Sequence, residues 1–322
     1  ALAAPLPAAT LTVGRVAATA GVDAGGGATW SVPVRVAAGI NGLAPDLALA
    51  WRSQAGDGPA GHGTELAGLS RVTRCPRLIA TDQRVRGVQF DDGDRYCLDG
   101  QVLVAVAGAY GADGSEYRTE VDRLERVWSR GRAGAGPAAF EVRQPDGSTR
   151  FYGTDADSRV LTPGQAGTAH EWALNATRDL FGNQVVYRYR EDAGRSTALP
   201  AEIRWTADGN GQGGRFRLVF DWDARDPRAV RRGFAWGSPW TRDLRLTAIR
   251  YEADEGQGFV PVHRYVLGYE HGASGRQRLA RIEHCGPTTC VPATTLAWQD
   301  GAAGFAALAA GPGDEPGSVT YT

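Results

Sequence analysis

This chain contains no lysine and no methionine, and all 35 of its basic residues are arginine. The lysine-free bias points to a GC-rich genome and carries little functional content. The missing initiator fits a processed product or a piece cut from something longer. Formal net charge is only -1, so nothing draws the chain over long range towards nucleic acid or an anionic membrane. No run reaches the roughly eighteen apolar residues of a membrane-spanning helix. The opening ALAAPLPAAT has the small residues that end a signal peptide, without the charged and apolar regions that precede them, so export is expected but not written in a leader. Histidine is scarce and dispersed (His62, His170, His263, His271 and His284), with no H-E-x-x-H. G-x-S-x-G is also missing, since GASGR around Ser274 has the wrong spacing.

What the chain has instead is glycine, aromatics and alternation. Its 44 glycines follow no three-residue period, which excludes collagen and predicts many tight turns. A length of 322 residues suggests about two domains, a prior softened because all-β domains often run long. From Trp30 onward the apolar period is two. Trp30, Val32, Val34 and Val36 share a face, as do Leu47, Leu49 and Trp51. So do Val185, Tyr187 and Tyr189; Phe216, Leu218, Phe220 and Trp222; Tyr265, Leu267 and Tyr269; and Thr294, Leu296 and Trp298. Between the runs stand DDGD, PDGS, LFGN, ADGNGQGG and EGQG, which are turn sequences too short to join parallel strands. The expected fold is all-β: mostly antiparallel strands in extended, layered sheets, with little helix. One segment conflicts, because Tyr117, Val121, Leu124 and Trp128 recur at helical steps. The domain layout expected is a flexible Ala/Gly-rich lead-in over 1–28, a β domain over 29–298, and a Gly/Ala/Pro-rich linker over 299–322 towards a further domain.

Four cysteines form two local sets, Cys75 with Cys97 and Cys285 with Cys290. Disulfides are the first expectation, free thiols the second and a metal site the last, since zinc favours closer Cys pairs or added histidines. GDGPAG (Gly56, Gly58, Gly61) and GNGQGG (Gly209, Gly211, Gly214) both fit the dinucleotide fingerprint, but neither opens a helix, so turn glycines are the better reading. Asp208, Asn210 and Gln212 mimic the start of a calcium loop whose twelfth position holds Val219 instead of an acid. His62 beside Glu65 has no evident nucleophile. The arginines of DARDPRAVRRGFAWGSPW are offset by nearby aspartates, and the segment reads as a solvated loop. No cofactor, metal or catalytic set emerges, and an enzyme is not expected.

The stretch VPVRVAAGINGLAPDLALAWRSQAGDGPAGHGTELAGLSRVTRC resembles the opening of the SpvB-type N-terminal domain. The Salmonella virulence plasmid B protein shares that domain with the B components of insecticidal toxin complexes. The likeness continues through GVQFDDGDRYCLDGQVL, EYRTEVDRLERVW, FEVRQPDGSTRFYG and WALNATRDLFGNQVVYRYR to GRQRLARIEHCGPTTCVPATTLAW, covering about Trp30 to Trp298 in order. It departs at Gly63-Thr64, where the family pattern carries an aromatic after the glycine. The resemblance implies a segment of β-sheet wall, related to Rhs and Tyr/Asp-repeat shells, and it makes Tyr117–Trp128 a strand. DLFGNQVVYRY, with Asp179, Gly182, Asn183, Tyr187 and Tyr189, is similar to a degenerate unit of those repeats. The family's separate ADP-ribosyltransferase carries an Arg, a Ser-Thr-Ser strand and a Glu-x-Glu pair. Here RSTA at Arg195–Ala198 stands without any Glu-x-Glu, so that activity is not implied.

The function expected is a non-catalytic structural domain of a secreted bacterial toxin or virulence protein. Its partners would be other β-sheet or Tyr/Asp-repeat segments of the same toxin and an encapsulated toxic polypeptide, with no nucleic acid and no membrane span. Release would be extracellular, with the cytoplasm as the site before release. In that view GINGLAP is a corner: Gly39 and Gly42 adopt positive φ, Asn41 tolerates the left-handed region, and Pro45 fixes the entry to the next strand. A surface module that recognises carbohydrate or host protein through exposed aromatics is the rival, decided by whether those aromatics are exposed in a cluster. A hydrolase with scattered carboxylates is the third, and would need two acids facing each other across a cleft.

Overall fold

The computed structural model describes residues 14–165, 167–190, 197–235 and 238–300. Every strand pairing named in it is antiparallel. First come β1 (Thr19–Val22), β2 (Ala28–Pro33), β3 (Ala48–Arg52), the two-residue strands β4 (Asp57–Gly58) and β5 (Gly61–His62), and β6 (Thr64–Ala67). β1, β2, β3 and β6 make a four-stranded sheet in that order, and β4 pairs with β5. Within the lead-in expected over 1–28, Thr19–Val22 forms a strand. Its backbone bonds to β2, and Val16 is buried, so an Ala/Gly-rich composition did not prevent sheet addition. Residues 1–13 of that lead-in lie outside the described residues.

Next come β7 (Arg71–Cys75), β8 (Arg95–Leu98), β9 (Gln101–Ala107), β10 (Glu116–Thr119), β11 (Arg126–Arg130), β12 (Ala139–Arg143), β13 (Thr149–Tyr152), β14 (Arg159–Leu161) and β15 (Ala169–Arg178). Each strand from β7 to β12 pairs with its successor, and β15 pairs with both β7 and β13, so β7 to β13 and β15 close into an eight-stranded barrel. The closure lies at β15, where Leu174 N–H donates to Ser70 O at 3.1 Å on one side and Gly153 N–H donates to Ala173 O at 3.1 Å on the other. Tyr96, Tyr117, Val127, Phe140, Val142, Tyr152 and Trp172 fill it, none more than 1% exposed. Layered sheets were the expectation; closure removes the free edges that one of those layers would otherwise have carried.

From β15 the sheet runs on through β16 (Gln184–Arg190), β17 (Leu199–Ala207) and β18 (Gly213–Ala224). The hairpin β19 (Arg231–Ala235) and β20 (Ser238–Arg242) intervenes, and β21 (Leu244–Asp254), β22 (Phe259–His271), β23 (Gln277–Cys285) and β24 (Thr294–Thr295) complete it. One face of this sheet packs on the small N-terminal sheet, joining Val32, Leu47 and Leu49 to Ile203, Leu218, Ile249 and Leu279 in one core. Cross-layer bonds pin it: Trp205 Nε1 donates to Ala37 O at 3.1 Å, and Arg35 N to Tyr265 Oη at 3.2 Å. The opposite face carries an ion-pair ladder from Arg204 through Glu202, Arg217, Glu252 and Arg250 to Asp221.

Tyr117 to Trp128 is strand, turn, strand and not a helix. Tyr117 and Val127 are buried partners across β10 and β11, while Val121 and Leu124 stand in solvent at the turn. In the last run only Thr294 and Thr295 pair as strand; beyond it Leu296 packs on the core and Trp298 on Trp51. The expected linker is described only at Gln299 and Asp300, and the rest of it lies outside the described residues. Among these residues no helix is long and apolar enough to cross a membrane.

Candidate functional site

Three turns meet where the barrel, the small sheet and the long sheet adjoin. The first is the GINGLAP corner between β2 and β3. Asn41 takes φ 55° and Gly42 φ 79°, closed by Gly42 N to Gly39 O at 3.1 Å and Leu43 N to Ile40 O at 3.1 Å. Gly39 departs from expectation, because its φ is -82°. It must be glycine for space: a Cβ there would lie 2.3 Å from Leu43 O and 3.0 Å from Trp205 Cδ1. Pro45 is buried at the entry to β3.

The second turn joins β15 to β16. Asp179 Oδ1 accepts from the Phe181 and Asn183 amides at 2.9 and 2.8 Å, and its Oδ2 accepts from Asn183 Nδ2 at 2.7 Å. Gly182 supplies the positive φ of 90°. Asn41 Nδ2 reaches Asp179 Oδ2 at 3.3 Å, which ties the corner to this turn. Burial pushes the Asp179 carboxyl up, but the Asn183 and neighbouring hydrogen bonds outweigh it and hold the group below the usual range. The third turn joins β12 to β13, where Ser148 N donates to Asp146 Oδ1 at 2.8 Å. A Cβ at Gly147 would meet Leu180 Cδ2 at 2.8 Å, so Leu180 leans on this turn.

Between the turns lies a cavity of about 700 Å³. Its walls include Leu43, Leu69, Leu174 and Val185 as well as Asp46, Asp99, Asp146 and Asp179, with Arg150 as the one basic side chain. Asp99 accepts from Ser70 Oγ at 2.6 Å and Arg71 N at 2.9 Å. Tyr187 closes the floor, its phenol pushed up to about 12 by burial. Tyr189 packs behind, donating to Leu174 O at 2.7 Å. The structure thus gathers Asn41, Gly42, Asp179 and Tyr187 at one cavity, with Gly39, Pro45, Gly182, Asn183 and Tyr189 shaping it. Sequence reasoning missed Asp46, Asp99, Asp146 and Arg150, which look like ordinary turn and strand residues until the fold brings them together.

The remaining candidates lie elsewhere. Cys75–Cys97 and Cys285–Cys290 are disulfides. Asp208 of the calcium-like loop spends Oδ1 on the Asn210 and Gln212 amides of its own turn, both at 2.9 Å. GDGPAG is the β4–β5 hairpin, and a Cβ at Gly58 would sit 1.9 Å from Thr64 O. The arginine-rich segment is not simply a solvated loop. Arg225 is 4% exposed and donates to Leu244 O at 2.8 Å and to Gly58 O, while Arg242 holds Asp57 O, so both clamp that hairpin. His62 Nδ1 stands 3.5 Å from Asp57 Oδ1. Trp30, Trp51 and Trp298 surround a hollow of about 280 Å³ beside Thr64, the position of the sequence departure. Arg195 and Ser196 of RSTA lie outside the described residues.

Residues 22–210 match the family described as Salmonella virulence plasmid 65kDa B protein, SpvB. The chain belongs to the SpvB family. Among solved structures, a chain of the TcdB2-TccC3 crystal structure superposes with TM-score 0.72 at 19% identity, covering 93% of this chain and 18% of that one. The Photorhabdus luminescens Tc holotoxin pore gives 0.72 at 20%, covering 92% and 17%. The N-terminal domain of effector protein SpvB from Salmonella typhimurium strain LT2 gives 0.64 at 19%, covering 80% and 98%. This SpvB-family chain therefore spans under a fifth of the toxin chains and nearly all of a separately solved domain. No curated protein matches it.

Proposed function

We propose that this domain is a non-catalytic wall segment of an exported toxin or virulence protein, packing beside other β segments to enclose or help deliver a toxic polypeptide. The observation that carries this reading is how the polar groups are used. The candidate acids cap turns, the buried arginines clamp backbone carbonyls, and the long sheet carries a charged ladder across β17, β18 and β21. Residues spent this way hold a surface in shape rather than turn over a substrate. Two disulfides support an oxidising, extracellular destination. The test is proteolysis of the full-length gene product, intact and after mild denaturation. A variable polypeptide resistant to protease in the first sample and cleaved in the second is expected. Cleavage at equal rates in both, or saturable turnover of a nucleotide or sugar by the purified chain, would refute the proposal.

The rival binding-module reading keeps one specific support, the three half-buried indoles around the 280 Å³ hollow. A carbohydrate there would stack on Trp51 and Trp298. Glycan binding lost in Trp298→Ala would favour that reading over the wall.

A further inference from the structure

We infer that the cavity between the three turns docks a partner polypeptide segment that places a basic side chain beside an apolar one. The turn tips around it are unusual in what they show to solvent. Leu180 is 73% exposed, Phe181 80% and Ile40 54%, although turn tips ordinarily carry polar or glycine residues. Below them the cavity has an apolar floor of Leu43, Leu69, Leu174 and Val185. An apolar groove rimmed by exposed apolar side chains marks an interaction surface more often than an accident of packing.

Charge complementarity selects the occupant. Four acidic residues, Asp46, Asp99, Asp146 and Asp179, line the cavity with Arg150 as its one basic residue, a local balance of -3 in a chain whose total is -1. Three of the four already accept hydrogen bonds from turn groups, which fixes their positions and leaves further lone pairs for a donor. They do not form a metal cage: among the described residues the only set of three converging ligand atoms is Glu283, Cys285 and Cys290. A cavity of about 700 Å³ also suits several side chains better than one ion. An arginine or lysine fits, with its charged head at the carboxylates and its stem against Phe181 and Leu180, while the adjacent apolar side chain enters the floor.

This inference stands apart from the wall proposal, since a domain of any role can bind such a segment. The probe is a short fluorescein-labelled peptide of alternating arginine and leucine, titrated into the full 322-residue chain and followed by anisotropy. Its controls are a glutamate–leucine and an arginine–serine counterpart. Saturable binding about tenfold tighter than either control is expected, weakening as salt is raised. Leu180→Ser with Phe181→Ser, and separately Asp46→Asn with Asp146→Asn, should each lower affinity about tenfold, because each removes one half of the recognition. These positions are exposed, and asparagine at 146 keeps an oxygen to accept from the Ser148 amide, so circular dichroism should report an unchanged fold. Phe234→Ser, 76% exposed at the β19–β20 hairpin, should leave affinity intact. Equal binding of the glutamate–leucine peptide, or unchanged affinity in both double variants, would overturn the inference. So would stoichiometric calcium displacing the peptide, or self-association abolished by Phe181→Ser, since each assigns the groove to another occupant.

Discussion

Arg74 is a charged side chain with no access to solvent, held inside the barrel. Its Nε donates to Ala169 O at 2.8 Å, its Nη1 to Asp94 Oδ2 at 2.9 Å and Asp91 O at 3.0 Å, and its Nη2 to Ala135 O. The Tyr96 and Trp172 rings flank it at 5.6 and 5.8 Å. Asp94 is equally buried and also accepts from the Gln89 and Phe90 amides at 2.9 and 2.8 Å. A buried ion pair gains little over apolar packing, but one broken partner leaves an uncompensated charge. Asp94→Ala should therefore cost about 3 to 5 kcal/mol in urea denaturation. Adding Arg74→Leu should restore part of the loss, and strict additivity of the two would contradict this account. None of this was legible. Alternation with Val72 places Arg74 on an inward face, yet arginine is so rarely buried that the pattern argues against itself, and Asp94 sits in DDGD like any turn acid. Asn41 and Gly42 were legible, because their backbone demand is local.

At the scale of elements, period two gave the strands their faces, since alternate side chains must divide between core and solvent. The helical spacing of Tyr117–Trp128 misled, because a turn inserted between two strands set Val121 and Leu124 at those steps although neither is buried; the strand that the resemblance implied is what forms. Barrel closure stayed out of reach for a different reason. It depends on β15 meeting β7 and β13, pairings that no local pattern encodes. The cavity among the three turns was hidden for the same reason, although the Asp179 turn was recognised. The Cys75–Cys97 disulfide closes a separation of 22 residues between β7 and β8, against 5 for Cys285–Cys290. Replacing the first pair by alanine should cost about 3 kcal/mol, and replacing the second should cost less, because the longer loop loses more chain entropy in the unfolded state. Urea midpoints of the two double variants check the order; a larger loss for Cys285 and Cys290 would reverse it.

The described residues form a barrel continued by one long sheet, with a small sheet packed on it, and Tyr96, Tyr117, Tyr152, Tyr187, Tyr189, Tyr251 and Tyr265 are buried along it. Burial pushes the phenols of Tyr96 and Tyr187 up to about 12, and raises Tyr152 and Tyr269 as well. Below pH 10 these groups are protonated in both states and their contribution to stability is complete. Above it the unfolded chain ionises first, so stability should fall as pH rises from about 10 towards 12. Urea midpoints at stepped alkaline pH should decline across that window, with phenolate absorbance rising together with unfolding rather than before it. The wall proposal itself is tested most directly by cryo-electron microscopy of the full-length gene product. The expected result is that the face bearing the Arg204–Asp221 ladder borders a closed chamber with density inside, and that neighbouring β segments abut this domain. A reconstruction in which the domain stands free, with the ladder face of the long sheet in solvent, would contradict it.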